Sequence, residues 1–246
     1  MKQSYSQKHP YWSVILIGLL CTFLTALGSA VPQIIGLEPY VQRAVTTAFL
    51  LVSIILGIII MKKSGRSFAE YGFRKTEKAS IRKVWWYIPL ILIEIIPIAV
   101  AGLEDGITAL QYIIMLLFTV AVGFNEEIYF RGLAFQVISV KGRKNAIIWT
   151  SMVFGILHLF NALSGKNTLD LILQMLFAFL VGFVLAEVVS ITKSLWALII
   201  WHAAHDYISG ITGDSLDKTA LIILAVQVGV LLIYAICIWK ASRHDE

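Results

Sequence analysis

The sequence predicts an all-α membrane protein, a bundle of about eight transmembrane helices with a buried polar site. Of its 246 residues, 59% are hydrophobic and only 14% are charged, whereas soluble domains contain about 25% charged residues. The hydrophobic residues fall in runs of about 20, the length of helix that crosses a bilayer. Because no internal repeat or low-complexity linker divides these runs, we expect residues 1–246 to form a single integral membrane domain.

Eight apolar runs are predicted to be membrane helices. In chain order they are 12–31, 44–61, 84–102, 108–123, 145–163, 169–189, 195–208 and 220–239. The fourth run continues as helix through 124–140, and its total of about 50 Å exceeds a hydrocarbon core of about 30 Å. We therefore expect it to tilt, bend or continue along the interface. The seventh run is short and contains two histidines and an aspartate, so protein must shield it from lipid.

The distribution of basic residues predicts the orientation. Sixteen of the 20 lysines and arginines lie on the side that holds both termini, eight of them in the segment 62–83, and only three lie on the other side. Basic loops stay in the cytoplasm, so both termini are predicted to be cytoplasmic. The short chain and compact loops indicate a bacterial cytoplasmic membrane protein. The segment 62–83 is predicted to lie against anionic lipid, and no nucleic-acid partner is expected from the net charge of +5.

Ionisable side chains inside membrane helices are costly and usually mark a functional site. Apart from Asp170 at the edge of the sixth run, nine occur within the predicted spans and the continuation of the fourth: Glu94, Glu126, Glu127, Arg131, His158, Glu187, His202, His205 and Asp206. Counted along their helices, Glu126, His158 and the His202/Asp206 pair lie at comparable depth in the bilayer. This shared depth predicts one cluster formed by three helices.

Helical spacing indicates which of these side chains can pair. Glu127 and Arg131 are four residues apart and share a helix face, while Glu126 points about 100° away. We interpret the pair as a brace and Glu126 as facing a cavity. The alternative is a buried ion pair plus a glutamate near the interface. His202 and Asp206 also share a face, and either site chemistry or simple packing explains them.

Three further ionisable residues of the predicted spans are His158, Glu94 and Glu187. His158 taken alone fits a hydrogen-bonded core histidine as well as a site residue. Glu94 has no partner at helical spacing, and we expect it to line a cavity or to contact another helix. Glu187 lies near the cytoplasmic end of its helix, and we expect its carboxylate to extend to the interface.

The motifs of several hydrolase classes are absent from the sequence. It contains neither His-Glu-x-x-His nor Gly-x-Ser-x-Gly, and it has no glycine-rich phosphate loop. Cys21 and Cys237 lie inside apolar runs, where neither a disulfide nor a catalytic thiol is expected. Carboxylate and imidazole chemistry remains. A buried glutamate can act as general base toward water, and a histidine can donate a hydrogen bond to an oxyanion.

The pattern Glu126-Glu127-x-x-x-Arg131, Phe154-x-x-x-His158 and His202-x-x-x-Asp206 resembles the CAAX-processing and bacteriocin-processing peptidase family. This family, also called the Abi family, includes the type II CAAX-prenyl endopeptidases. The resemblance covers 124–207 and implies an eight-helix intramembrane endopeptidase. It implies that Glu126 and His158 activate water, that His202 and Asp206 stabilise the oxyanion, and that Glu127, Arg131 and Phe154 support the site.

The resemblance leaves the cofactor and the substrate open. Family members carry Asn or Asp at the place of Asp206, and an ionised Asp cannot donate to an oxyanion. It must be protonated, orient His202 or bind a metal. A divalent metal such as zinc could use Glu126, His158, His202 and Asp206, although we expect catalysis without metal.

Several functions remain open. The expected partners are a leader peptide or a membrane-anchored protein as substrate, and the lipid bilayer. The alternatives are a non-catalytic bacteriocin-immunity or scaffold protein of the same fold, and a proton-coupled transporter. The oligomeric state is not predicted.

Overall fold

The computed structural model describes residues 5–164, 167–213 and 217–242, and all regular secondary structure in these ranges is helical. Lys2, Lys166 and Arg243, which the orientation count includes, lie outside the described residues. We number the principal helices α1 (Pro10–Ile34), α2 (Pro39–Lys63), α3 (Ile88–Ala101), α4 (Ala109–Glu127), α5 (Arg143–Leu157), α6 (Thr168–Thr192), α7 (Trp196–Thr212) and α8 (Lys218–Ser242). Short helices lie at Tyr5–Lys8, Lys78–Lys83 and Trp85–Tyr87.

Six helical stretches in the described part of the chain are long and apolar enough to cross a membrane. They are α1, α2, α4 with its continuation to Lys141, α5 with its continuation to Ala162, α6 and α8. The all-α membrane fold is thereby confirmed. The count of eight is approximate, because α3 and α7 have 14 and 17 residues, or about 21 and 26 Å of helix.

The third predicted span is shorter than its apolar run. Trp85, Trp86 and Tyr87 adopt left-handed backbone angles, with φ of 50°, 55° and 58°. A right-handed helix cannot continue through such residues, so α3 begins only at Ile88. It ends at Gly102, whose φ of 77° suits glycine. The single span expected over 84–102 is therefore a 3₁₀ turn followed by a short α-helix.

The fourth predicted span is continuous and changes its helix type. It starts at a capping box between Thr108 and Gln111, which satisfies free N–H groups at the helix start. The stretch Ala109–Lys141 is helical over 33 residues. It passes from α-helix to a π-helix at Ile128–Ala134 and ends in a 3₁₀ turn. The expected continuation past the two glutamates is confirmed.

This long stretch is central to the bundle. The helix α4 packs against α7 and α2, α5 packs against α6, and α8 packs against α3 and α6. The π-helix Ile128–Ala134 contacts α1 and is buried at every residue. Large apolar side chains such as Ile200 and Ile233 cover the outer faces, where a bilayer replaces water as solvent.

The two ends of the bundle differ in charge. The basic end holds the segment 64–84 and the connections 139–143 and 193–195, and the opposite end holds 35–38, 102–108 and the end of α7 at Thr212. Part of the basic segment packs onto protein. The backbone N–H of Leu195 donates to Gly72 O at 2.8 Å, and Ser194 Oγ donates to Arg74 O at 2.8 Å. Tyr71 is buried.

Candidate active site

Three helices bring the motif residues together. The last turn of α4 carries Glu126 and Glu127, the end of α5 carries Phe154, and α7 carries His202. A π-helix begins at Ile128, immediately after the two glutamates. π-Helical turns interrupt the α-helical register and occur often at functional sites. The spacing of residues in the sequence does not predict this π-helix.

Glu127 is bonded to two other motif residues through one oxygen. Its Oε1 accepts from Arg131 Nη1 at 2.9 Å and from His202 Nδ1 at 2.8 Å. Glu127 is 0% exposed and Arg131 is 2% exposed, so the pair is shielded from solvent. The predicted Glu127–Arg131 pair is present. Its bond to His202 was not predicted, because spacing along one helix cannot reveal a partner on another.

His202 presents its second ring nitrogen to two carboxylates. A carboxylate only accepts hydrogen bonds, so the bond to Glu127 places a proton on Nδ1. Nε2 then lies 3.5 Å from Glu126 Oε2 and 3.8 Å from Asp206 Oδ2. The predicted sharing of a face by His202 and Asp206 is also seen.

His158 begins the 3₁₀ turn that follows α5. Its Nδ1 lies 2.8 Å from the backbone oxygen of Phe154, which can only accept. Nδ1 therefore carries a proton, and Nε2 remains as an acceptor in the neutral ring. The Phe154 ring contacts His158 edge-on, with centroids 4.6 Å apart, and Arg131 Cζ lies 4.4 Å from the Phe154 centroid. Phe154 thus joins the three motifs by contact with rings and a cation.

Two cavities flank this cluster. The Glu126 cavity, of about 450 Å³, lies among α1, α2, α4 and α5 and is lined by Glu126, His158 and several aromatic rings. The Asp206 cavity, of about 790 Å³, lies among α3, α6, α7 and α8 and is lined by Asp206, Glu94 and His205. The expectation that Glu126 faces a cavity is confirmed. His202 stands between the two cavities, since its Nε2 is within 4 Å of both carboxylates.

Glu94 and His205 form a second polar pair that helical spacing did not predict. His205 Nδ1 lies 2.9 Å from Glu94 Oε1. The His205 ring stacks between Trp201 and Phe177, at centroid distances of 5.1 and 5.5 Å. Glu94 therefore both lines a cavity and contacts another helix, as its position suggested.

The expectation for Glu187 was wrong. Its side chain does not extend to the interface but is 0% exposed, and neither carboxylate oxygen has a hydrogen-bond partner within the described residues. The reason is the packing of α6, whose half at the basic end is buried on every side from Val184 to Ser190. Hydropathy along one helix does not show such burial.

The four candidate metal ligands do not meet as a coordination sphere. In the described part of the chain, no three or more His, Cys, Asp and Glu side chains are arranged to hold a metal ion. This holds for the four candidate ligands, Glu126, His158, His202 and Asp206. The arrangement of the described residues therefore gives no support to the zinc site that the resemblance allowed.

Comparison with known proteins agrees with the motifs. Residues 108–208 match the family model described as type II CAAX prenyl endopeptidase Rce1-like. The matched segment contains all three motifs from Glu126 to Asp206, which confirms the resemblance inferred from them. No curated protein matches the chain.

Proposed function

We propose that this chain, whose residues 108–208 match the type II CAAX prenyl endopeptidase family model, is an intramembrane endopeptidase that hydrolyses a peptide bond with water activated by Glu126 and His158. The observation that carries the proposal is the placement of His202. Glu127 holds its Nδ1, and Nε2 is left facing Glu126 and Asp206 beside a cavity. Packing alone would not require an imidazole to be aimed in this way.

The first chemical step is attack by water. Glu126 takes a proton from a water molecule in the Glu126 cavity, and the Nε2 of His158 accepts the second O–H and so orients the water. The water oxygen bonds to the carbonyl carbon of the substrate. The carbonyl oxygen becomes an oxyanion. It accepts hydrogen bonds from Nε2–H of His202, whose ring is then protonated at both nitrogens, and from a protonated Asp206.

The second step breaks the peptide bond. The proton held by Glu126 moves to the amide nitrogen as the carbon–nitrogen bond breaks, which yields a carboxylic acid and a free amine. Glu127 and Phe154 act as positioning residues because they contact His202 or His158 and not the reacting atoms. Arg131 supports the site as the ion-pair partner of Glu127. Room for water is consistent with the structure, since the Glu126 side chain is 18% exposed and lines the Glu126 cavity.

The proposal extends to substrate and location. The Glu126 cavity is lined by Phe118, Phe130 and Phe160, which favours an apolar ligand such as a leader peptide or a membrane-anchored protein segment. The concentration of described basic residues at one end favours a bacterial cytoplasmic membrane with both termini in the cytoplasm. A divalent metal is not part of the proposed mechanism.

The direct test uses Glu126→Gln. This change keeps the size of the side chain and removes its basicity, so we expect loss of cleavage with an unchanged unfolding temperature. Mass spectrometry of membrane peptides from cells with wild-type or Glu126→Gln protein should reveal products that only the wild type makes. Glu38→Gln, an exposed glutamate at the start of α2, is the control. Normal turnover by purified Glu126→Gln would remove Glu126 as general base.

The same experiment separates the alternatives. A non-catalytic immunity or scaffold protein would give identical peptide sets for the wild type and for Glu126→Gln. A proton-coupled transporter would depend on Glu94 and Glu187 as strongly as on Glu126.

A further inference from the structure

We propose that the Asp206 cavity is the subsite for the part of the substrate C-terminal to the cleaved bond, and that it binds a positively charged group there. This inference rests on the proposed peptidase function and assigns one side of the substrate to each cavity. The charged group is an ammonium or guanidinium, supplied either by a basic side chain or by the amino terminus that cleavage creates.

The charge of the cavity wall supports this assignment. Four carboxylates line the Asp206 cavity, those of Glu94, Asp170, Asp206 and Asp217. Among the described lining residues, only His205 can carry a positive charge. The wall stays negative with this ring protonated and with Asp206 neutral, as in the proposed mechanism, because the carboxylates of Glu94, Asp170 and Asp217 remain. In the low dielectric of a membrane protein, such a wall attracts cations strongly.

The hydrogen bonding of Glu94 indicates that the negative charge of the cavity wall binds a ligand. Glu94 is 7% exposed, and its Oε1 is bonded to His205. Its Oε2 has no hydrogen-bond partner in the described part of the chain, and the residue lies in the wall of the cavity. A buried carboxylate oxygen without a partner is costly. One oxygen of Asp170 accepts from Asn167 Nδ2, and Asp217 Oδ1 accepts from the backbone N–H of Ala220. These bonds lie at the starts of α6 and α8, whereas Glu94 lies in mid-helix. Asp170 Oδ1, like Glu94 Oε2, has no hydrogen-bond partner within the described residues.

The charges of the two hydrolysis products determine which fragment fits each cavity. The N-terminal fragment gains a carboxylate and the C-terminal fragment gains an ammonium. The carboxylates of the Asp206 cavity repel the new carboxylate of the N-terminal fragment and attract the new ammonium of the C-terminal fragment. The Glu126 cavity, in contrast, has Arg43 in its lining and aromatic rings around it. The N-terminal fragment therefore fits the Glu126 cavity, and the C-terminal fragment fits the Asp206 cavity.

Binding can be measured without turnover on purified full-length Glu126→Gln protein in detergent. The probes are three apolar decapeptides with one photoreactive residue, identical except for lysine, norleucine or glutamate at one position. Two further norleucine peptides differ only in a free or an acetylated amino terminus. We expect the lysine or the free-amine peptide to bind about tenfold more tightly than its neutral partner. Cross-links should map to α3, α6 or α8.

Variants then identify the charge responsible. Glu94→Gln keeps a hydrogen-bond partner for His205 and removes the charge, so the preference for the cationic peptide should fall several-fold. Asp170→Asn should lower it too. Glu38→Gln, outside the cavity lining, should leave it unchanged. Loss of preference on acetylation identifies the new amino terminus as the cation, and preference for internal lysine identifies a side chain.

The outcomes separate this inference from the proposed function. If the wild type cleaves peptides while none of the probes shows a charge preference, the subsite is wrong and the peptidase stands. Cross-links in the Glu126 cavity from the cationic peptide would also overturn it. If the cationic peptide binds selectively but the wild type cleaves nothing, the cationic subsite is retained, while the peptidase function and the assignment of substrate sides both fail.

Discussion

At the scale of single residues, the arrangement of the site depends on one oxygen atom, Oε1 of Glu127. It accepts from Arg131 and from His202, and so it links an ion pair inside one helix to an imidazole on another. The orientation of His202 follows from this bond, because the ring cannot turn without losing it. Mutations of Glu127 should therefore act through the position of His202.

Arg131→Ala should act mainly on stability. Removing one partner of a buried ion pair leaves the other charge uncompensated, at a cost of about 3–5 kcal/mol. We expect a lower unfolding temperature and low yield in thermal unfolding of purified protein. Lys75→Ala, an exposed cation of the basic segment, is the matched control. A fully stable but inactive Arg131→Ala protein would instead place the arginine in the chemistry.

Asp206→Asn tests the proposed role of Asp206 and the metal question together. If Asp206 serves the oxyanion as a donor, Asn replaces it, because an amide donates at any pH. We expect Asp206→Asn to keep most of the activity, and wild-type enzyme to survive exhaustive chelation. Elemental analysis should accompany both assays. Stoichiometric zinc whose removal stops cleavage and whose return restores it would end the metal-free mechanism.

At the scale of helices, the site requires close contact between α4 and α7. A Cβ added at Gly123 would lie 3.0 Å from the backbone N of Ala203 and 3.0 Å from the backbone O of Ile199. These are backbone atoms, so neither can move aside alone. Small residues allow such approach of membrane helices. Here the approach brings Glu126 and Glu127 to His202, one turn further along α4.

Gly123→Ala should therefore disturb both stability and activity. The added methyl pushes α4 away from α7, at an expected cost of about 1–3 kcal/mol, and lengthens the Glu127–His202 bond. Thermal unfolding and peptide cleavage measure the two effects. Gly229→Ala is the matched control, since nothing lies within 4 Å of the added atom there. Equal behaviour of the two variants would show that this contact does not set the site geometry.

At the scale of the whole molecule, charge and cavities lie at different ends. The described basic residues concentrate at the basic end, while both cavities are lined largely by the halves of the helices toward the opposite end. If the basic end faces the cytoplasm, substrate reaches the site from the other side of the membrane. Orientation thus decides which compartment supplies the substrate.

Cysteine labelling tests the orientation. In a background without Cys21 and Cys237, Lys75→Cys at the basic end should be shielded from impermeant reagents in intact cells, and Asp105→Cys should react. Both positions are exposed. Gly165 and Asp214, on the same side as Asp105 in the sequence-based topology, lie outside the described residues. Labelling of Lys75→Cys from outside would reverse the topology.

The sequence by itself determined the membrane fold and the pairing of side chains on one helix face. Apolar runs of sufficient length require a bilayer, and the spacing of four residues in Glu127/Arg131 and His202/Asp206 places each pair on one face whatever surrounds the helix. Both inferences need only the geometry of a single helix. They therefore hold without knowledge of how the helices pack.

Tertiary structure decided which side chains meet across helices and which are hidden. The bonds of Glu127 to His202 and of Glu94 to His205 depend on the rotation and depth of neighbouring helices, about which one helix carries no information. The burial of Glu187 depends on packing around α6, and the start of α3 depends on left-handed residues that hydropathy does not register. The physical reason is the same in each case: these features arise from contacts between segments far apart in the chain.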